Sequence, residues 1–186
     1  MGLSVVVIGA GPQGLAAAAH LLERGLEPLV LEQGAGPAAA ISEWEHVRLF
    51  SEWPEVVDVA AARLLAPTGW VAPERGYPTG GTWISSYLAP LAKVLGDRVR
   101  YRARVTGVGR KGRDLLVDAG RAEQPFVVHV QDADGQQSRI EAWAVIDASG
   151  TWSIPNPVGA DGLPALGEAA AREFLTYRIP AFAEAE

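Results

Sequence analysis

The stretch Gly9-Ala10-Gly11-Pro12-Gln13-Gly14 constrains this chain more than any other feature. Glycines at that spacing mark a backbone that turns sharply and approaches another group closely. The flanking text makes the demand specific. Leu3 to Ile8 is a short β-branched run that reads as a buried parallel strand entering the turn. Leu15 to Arg24 is rich in Ala and Leu and reads as a helix, with Pro12 suited to its start and Gly25 just past its end. A second apolar strand, Leu29 to Leu31, then delivers Glu32. Strand, glycine turn, helix, strand and acid in this order predict a dinucleotide-binding βαβ unit.

Each position carries a physical expectation. Gly9 permits the turn out of the strand, and Gly11 lets the backbone approach a pyrophosphate. Gly14 lets the helix lie close to the sheet, and Ala18 keeps that contact small one turn on. The helix N-terminus offers N–H groups and a partial positive charge to phosphates. Glu32 can accept hydrogen bonds from an adenosine ribose, and its charge would repel a 2′-phosphate, which favours FAD or NAD over NADP here. The fingerprint alone does not separate FAD from NAD.

A simple NAD-dependent dehydrogenase would continue with alternating strands and helices. From Gln33 to Arg100 the text is instead irregular and rich in Trp, Pro and Gly. One helix is predicted there, from about Trp83 to Leu95, with Ile84, Leu88, Leu91 and Leu95 on one face and Pro90 weakening its middle. Strands are predicted at Arg102 to Val108, with Ala103, Val105 and Val108 facing in, and at Asp114 to Val117. Two more are predicted at Phe126 to Gln131 and Ser138 to Ala142, joined by the turn Asp132-Ala133-Asp134-Gly135. Ala144 to Ile146 is a fresh buried strand. It ends in Asp147-Ala148-Ser149-Gly150-Thr151, small residues at a strand's carboxyl end, where ligands bind in such sheets.

Composition excludes several other chemistries. There is no cysteine, so disulfides, zinc–thiolate sites and thiol catalysis are ruled out for this chain, and electron chemistry falls to a bound cofactor. A net charge of -6 argues against nucleic acid as the main partner. His20, His46 and His129 share no metal-ligand spacing, and the Asp132–Asp134 pair lacks the other ligands of a calcium loop. No nucleophile–base pairing stands out, so no catalytic residue is assigned. The apolar start, Leu3 to Leu22, lacks a basic flank and is broken by glycines, and no run is long enough for a membrane span. A cytoplasmic protein is expected.

Val5-Val6-Val7-Ile8-Gly9-Ala10-Gly11-Pro12-Gln13-Gly14, Glu32, the β-meander and Asp147-Ala148-Ser149-Gly150-Thr151 together resemble flavoproteins with two dinucleotide-binding domains. Within these, the likeness is greatest to flavin-containing monooxygenase-like oxidoreductases. His46-Val47-Arg48-Leu49-Phe50-Ser51, Tyr77-Pro78-Thr79-Gly80-Gly81 and Trp152-Ser153-Ile154-Pro155-Asn156-Pro157 add to it. The resemblance implies an α/β, Rossmann-like FAD/NAD(P)-binding domain over residues 1–186, with a parallel sheet, an irregular and helical insertion at 34–100 and an antiparallel β-meander at 101–142.

It also implies FAD held by Gly9, Gly11, Pro12, Gln13 and Gly14, with Glu32 on the ribose and Gln33 beside it. Arg48 would lie near the cofactor, Val105 would touch the adenine through its backbone, and Ser149, Gly150 and Thr151 would line the pyrophosphate side. Enzymes of this kind insert an NAD(P)H domain and then return to finish the FAD domain. Residues 165–186, with an apolar stretch from Ala165 to Phe182, read as the connector into that part, and the chain as a fragment or a shortened relative. The expected function is the FAD-binding portion of an NAD(P)H-dependent, monooxygenase-like flavoprotein oxidoreductase acting on a small molecule. An NAD-dependent dehydrogenase and a noncatalytic nucleotide-binding remnant are the alternatives.

Overall fold

The computed structural model describes residues 2–116 and 118–181. The glycine turn joins strand β1 (Val5–Ile8) to helix α1 (Pro12–Glu23), which leads back to β2 (Pro28–Leu31). β1 and β2 pair in parallel, Val5 opposite Pro28 through Ile8 opposite Leu31. The two-residue β3 (Val99–Arg100) extends the sheet beyond β2, and β7 (Ala144–Asp147) pairs in parallel with the other side of β1. The order is β3-β2-β1-β7. β1 is therefore central, and Val6 and Val7 are wholly buried, as a strand covered on both faces requires.

One face of this sheet is covered by α1, whose Gly14, Leu15, Ala18, Ala19 and Leu21 are buried. A Cβ at Gly14 would lie 1.9 Å from the Gly9 carbonyl oxygen, so only glycine fits at the helix–turn contact. The other face is covered by an antiparallel meander, β4 (Arg104–Arg110), β5 (Phe126–Gln131) and β6 (Gln137–Ala142). There Val6 and Leu31 pack with Ala103, Val128, Val130 and Ala142. The β5–β6 hairpin forms where expected, because the Asp132 carboxylate accepts the Asp134 and Gln136 N–H groups at 3.0 and 2.8 Å.

The region between β2 and β3 is more helical than the sequence suggests. Besides the predicted helix it contains α2 (Ala39–Ser42), α3 (Trp53–Val56) and α4 (Val59–Leu65). Their shortness hides them from periodicity, but their caps are written in the text. Glu52 and Glu55 make a capping box on α3, and Asp58 accepts the Ala60 and Ala61 N–H groups at the start of α4. The predicted helix begins earlier than expected, at the Thr79 cap. It runs as α5 (Gly80–Trp83) through a π turn (Ile84–Leu88) into α6 (Ala89–Leu95).

Pro90 is tolerated because its effect is local. Lacking an N–H, it leaves a carbonyl one turn back short of a donor, and the Trp70 indole donates to the Ser86 carbonyl at 2.8 Å. Leu65, Tyr87, Leu88, Leu91 and Leu95 are buried against the outer side of α1.

Two strand expectations need correction. Residues 114–116 form a bend rather than a strand: the Asp114 carboxylate accepts the Leu116 N–H at 2.8 Å, and Leu115 and Leu116 are exposed. Val117 lies outside the described residues. Val108 does not face a core. A bulge between Val105 and Gly107 keeps it on the side of Val128, but it is 45% exposed on the edge strand of the meander. After β7 the chain runs in turns with one short 3₁₀ turn, Arg172–Phe174, and Phe182 lies outside the described residues. No helix among the described residues is long and apolar enough to cross a membrane.

Asp58 ties this layer together. It caps α4, contacts His20 of α1 at 3.0 Å, and its N–H donates to the Tyr87 hydroxyl at 3.0 Å. Partial burial pushes its carboxyl up, but the Ala61 N–H, His20 and the Ala60 N–H outweigh that and hold it below its ordinary 3.8. Asp58→Ala should therefore cost about 1 kcal/mol in urea unfolding at neutral pH, the usual value of a lost cap. A depressed folded-state pKa stabilises above the unfolded value, and the stability is lost as pH falls through the folded one. The gap between parent and variant should thus persist above pH 3.8 and close in more acidic buffer.

Candidate dinucleotide site

The carboxyl ends of β1, β2 and β7 open onto a cleft of about 430 Å³. Gly9, Gly11, Pro12 and Gln13 line it from the turn, Glu32 and Gln33 from the end of β2, Val105 from β4, and Ser149, Gly150 and Thr151 from the loop after β7. Every sequence-predicted cofactor residue except Gly14 and Arg48 is thus brought to one cavity. Gly14 lies behind it, at the helix–sheet contact already described. Arg48 is exposed, pairs in an isolated bridge with Thr79, and donates to the Tyr77 carbonyl at 2.8 Å. It lines neither this cleft nor the cavity beside it.

The glycines divide their work. Gly9 has φ 96°, and a Cβ there would meet the Ala148 carbonyl oxygen at 2.8 Å, so the loop after β7 closes over a bare backbone. Gly11 is different. Its φ is -76°, and a Cβ there would meet no atom within 4 Å. The fold does not require glycine at 11, which lies beside the open cleft. No side chain caps α1, which leaves its first-turn N–H groups available to an anion.

Glu32 has a role that the fingerprint does not reveal. It is 7% exposed, and its two carboxylate oxygens each accept a backbone N–H at 2.7 Å, one from Ala10 and one from Gly34. Its own backbone is pinned as well, with Glu32 N–H donating to the Arg100 carbonyl and the Ala103 N–H donating to the Glu32 carbonyl. The carboxylate therefore ties the glycine turn of β1 to the loop after β2. Its remaining lone pairs can still accept from a hydroxyl.

Asp147 does a similar job across the cleft. Its Oδ1 accepts the Ser149 N–H at 3.0 Å and the Ser149 hydroxyl at 2.6 Å, and these two donors hold its carboxyl below the ordinary range. The sequence marks this loop only by its small residues; the acid just before Ser149 is the signal that it is also braced. Trp152 forms a wall that spacing could not identify. Its ring meets Trp44 of the loop after α2 at 6.4 Å and lies 4.9 Å beneath the Arg178 guanidinium. Arg178 also pairs with Glu43 at 3.0 Å and so holds the late part of the chain against the cleft. Among the described residues no group of acids and histidines could hold a metal ion.

A parallel sheet with a glycine turn under a helix N-terminus and an acid at the end of the second strand defines a Rossmann-like dinucleotide-binding domain. Residues 7–72 match the family described as NAD(P)-binding Rossmann-like domain. The chain is similar to digeranylgeranylglycerophospholipid reductase of Methanosarcina acetivorans, 30% identical over 78% of this chain and 40% of the relative. Among solved structures it resembles the bacillithiol disulfide reductase Bdr of Bacillus cereus, at 26% identity and TM-score 0.65 over 86% of this chain and 42% of that one. It also resembles a flavin-containing monooxygenase of Stenotrophomonas maltophilia, at 28% identity and TM-score 0.57 over 84% of this chain and 40% of that one. The chain therefore has a flavoprotein oxidoreductase fold, shared by reductases and monooxygenases, and spans about two fifths of the length of the relatives it matches.

Because Glu32 holds two backbone N–H groups, one of them buried, its removal should weaken the fold even without ligand. Glu32→Ala should lower stability by about 1.5–3 kcal/mol in chemical denaturation, the range for hydrogen bonds to a charged group. An unchanged unfolding midpoint would mean that the carboxylate does not tie the turn.

Proposed function

We propose that this chain is the FAD-holding part of an NAD(P)H-dependent flavoprotein oxidoreductase of the monooxygenase kind. The observation that carries the reading is Gly11: a glycine that the fold does not need, beside an open cleft and under an uncapped helix N-terminus. In this reading the pyrophosphate lies on the N–H groups of the first turn of α1. Glu32 and Gln33 face the adenosine ribose, Val105 flanks the adenine, and Ser149 to Thr151 close the pyrophosphate side. Arg48, on the loop with Phe50 and Tyr77, is proposed to act toward the far end of the cofactor.

The residues present fit such a group. Both sides of the cleft are braced by carboxylates that hold backbone N–H groups, so the cradle is formed before a ligand arrives. When bound, the flavin supplies the chemistry of accepting electrons from a nicotinamide and passing them on. The protein residues position the cofactor and shield it. None of them is assigned a proton transfer.

A reductase acting without oxygen is the second reading, favoured by the likeness to the Bacillus cereus and archaeal reductases. Dependence of NAD(P)H oxidation on dissolved oxygen separates the two.

Gly11→Val tests the site directly. The variant should fold as the parent does, since a Cβ there meets nothing, yet bind FAD at least about tenfold more weakly in a fluorescence titration, or ~1.4 kcal/mol. Equal affinity in a folded variant would place the cofactor elsewhere.

A further inference from the structure

Arg178 lines neither the cleft nor the cavity of about 610 Å³ beside it, yet it joins their rims. On one side, Ala39 and Ala40 of α2 line both spaces, and Glu43 follows them directly on α2's C-terminal end. On the other side, Ser149, Trp152 and Ser153 of the loop after β7 line both. The Arg178 guanidinium reaches each rim. It pairs with the Glu43 carboxylate at 3.0 Å, donates to the Trp152 carbonyl and lies 4.9 Å over the Trp152 ring. The Trp44 and Trp152 rings, 6.4 Å apart, add an aromatic contact between the same rims.

The segment that carries Arg178 is firmly based but loosely fastened. Its base is Tyr177, whose hydroxyl donates to the Glu168 carboxylate, and that carboxylate also accepts the Ala165 N–H at 2.7 Å. The fastening is weaker. The Arg178 and Glu43 side chains are 40% and 47% exposed, and an ion pair so open to water contributes little and is screened by salt. The fastened state also carries a cost. The Trp152 indole N–H is buried without a hydrogen-bond partner among the described residues, and an unpaired buried donor disfavours the arrangement that buries it.

We infer that Arg178 is a clasp that gates nucleotide exchange at the cleft. Fastened to Glu43 and Trp152, it holds the α2 rim to the loop after β7. Released, it uncovers the Trp152 ring, lets water reach the indole N–H and allows the rims to part. Its partners are all protein groups, so the clasp forms with or without a nucleotide and slows entry and exit alike. A device of this kind changes binding rates more than affinity. Arginine suits the task, because its planar face stacks on an indole while its edge N–H groups reach a carboxylate and a carbonyl. This inference rests on the reading of the cleft as a dinucleotide site.

Two measurements test the clasp, one of them without ligand. In NMR spectra of the free protein, the Trp152 indole N–H is the signal missing from W152F. Its exchange with solvent should be about fivefold faster in R178Q than in the parent, the size expected of a weak exposed pair. In stopped-flow fluorescence, FAD association and its displacement by excess 5′-ADP should both be about fivefold faster in R178Q, with Kd within about twofold of the parent. E43Q should act in the same direction, and E43Q/R178Q should be no faster than R178Q, since both remove one clasp. Added salt should speed the parent and leave R178Q unchanged. If R178Q loses the parent's circular dichroism, E43Q and the salt series decide. Unchanged rates, or faster dissociation alone, would overturn the clasp while leaving the cleft intact. A parent that binds neither FAD nor 5′-ADP would overturn the reading of the cleft and the gate with it, whatever the Trp152 exchange shows.

Discussion

The Glu32 carboxylate sits between two backbone N–H groups that belong to different parts of the chain. One is Ala10, in the glycine turn, and the other is Gly34, just after β2. A carboxyl group at this depth needs such donors, because burying a polar group without partners is costly. The donors in turn need the acid, since neither has another acceptor among the described residues. The arrangement fixes the turn that presents Gly11 and the loop that presents Gln33, and so sets the shape of the cavity.

The rest of the fold serves that arrangement from both faces of the sheet. On one side, Gly14 brings α1 within contact of the Gly9 carbonyl, and the α4–α6 layer presses α1 into place through Leu65, Leu88 and Leu91. On the other, the meander covers Val6 and Leu31 and delivers Val105 and Arg104 to the rim of the cleft. The end of β7 adds a second braced loop, held by Asp147 and walled by Trp152. A mutation in either layer can therefore alter ligand binding without touching the ligand, by shifting the turn or the loop that the carboxylates hold.

How much of this was legible in the sequence depended on whether the cause was local. The βαβ unit was fully legible, because strand run, glycine spacing, helix and acid lie close together and each answers a local steric or electrostatic demand. The meander was legible except at Val108, exposed on its edge strand, and at 114–116, where an aspartate turn replaced a strand that apolar residues alone had suggested. The short helices α2 to α4 escaped because so few residues carry no helical period, although the caps at Glu52 and Asp58 announced two of them. The inward turn of Glu32 was not legible. Its two partners are fixed by the meeting of separate backbone segments, and the same residue pattern equally describes an acid facing a ribose. The engagement of Glu43 by Arg178 depended on a contact between distant parts of the chain.

The central questions are where a diphosphate sits and what Glu32 does when it arrives. A crystal structure of the protein with 5′-ADP measures both at once. The diphosphate should lie against the backbone of Gly11 and Gln13 at the start of α1, with the Glu32 carboxylate still accepting from Ala10 and Gly34. A nucleotide bound away from the glycine turn, or a Glu32 side chain swung out with both N–H groups abandoned, would contradict it.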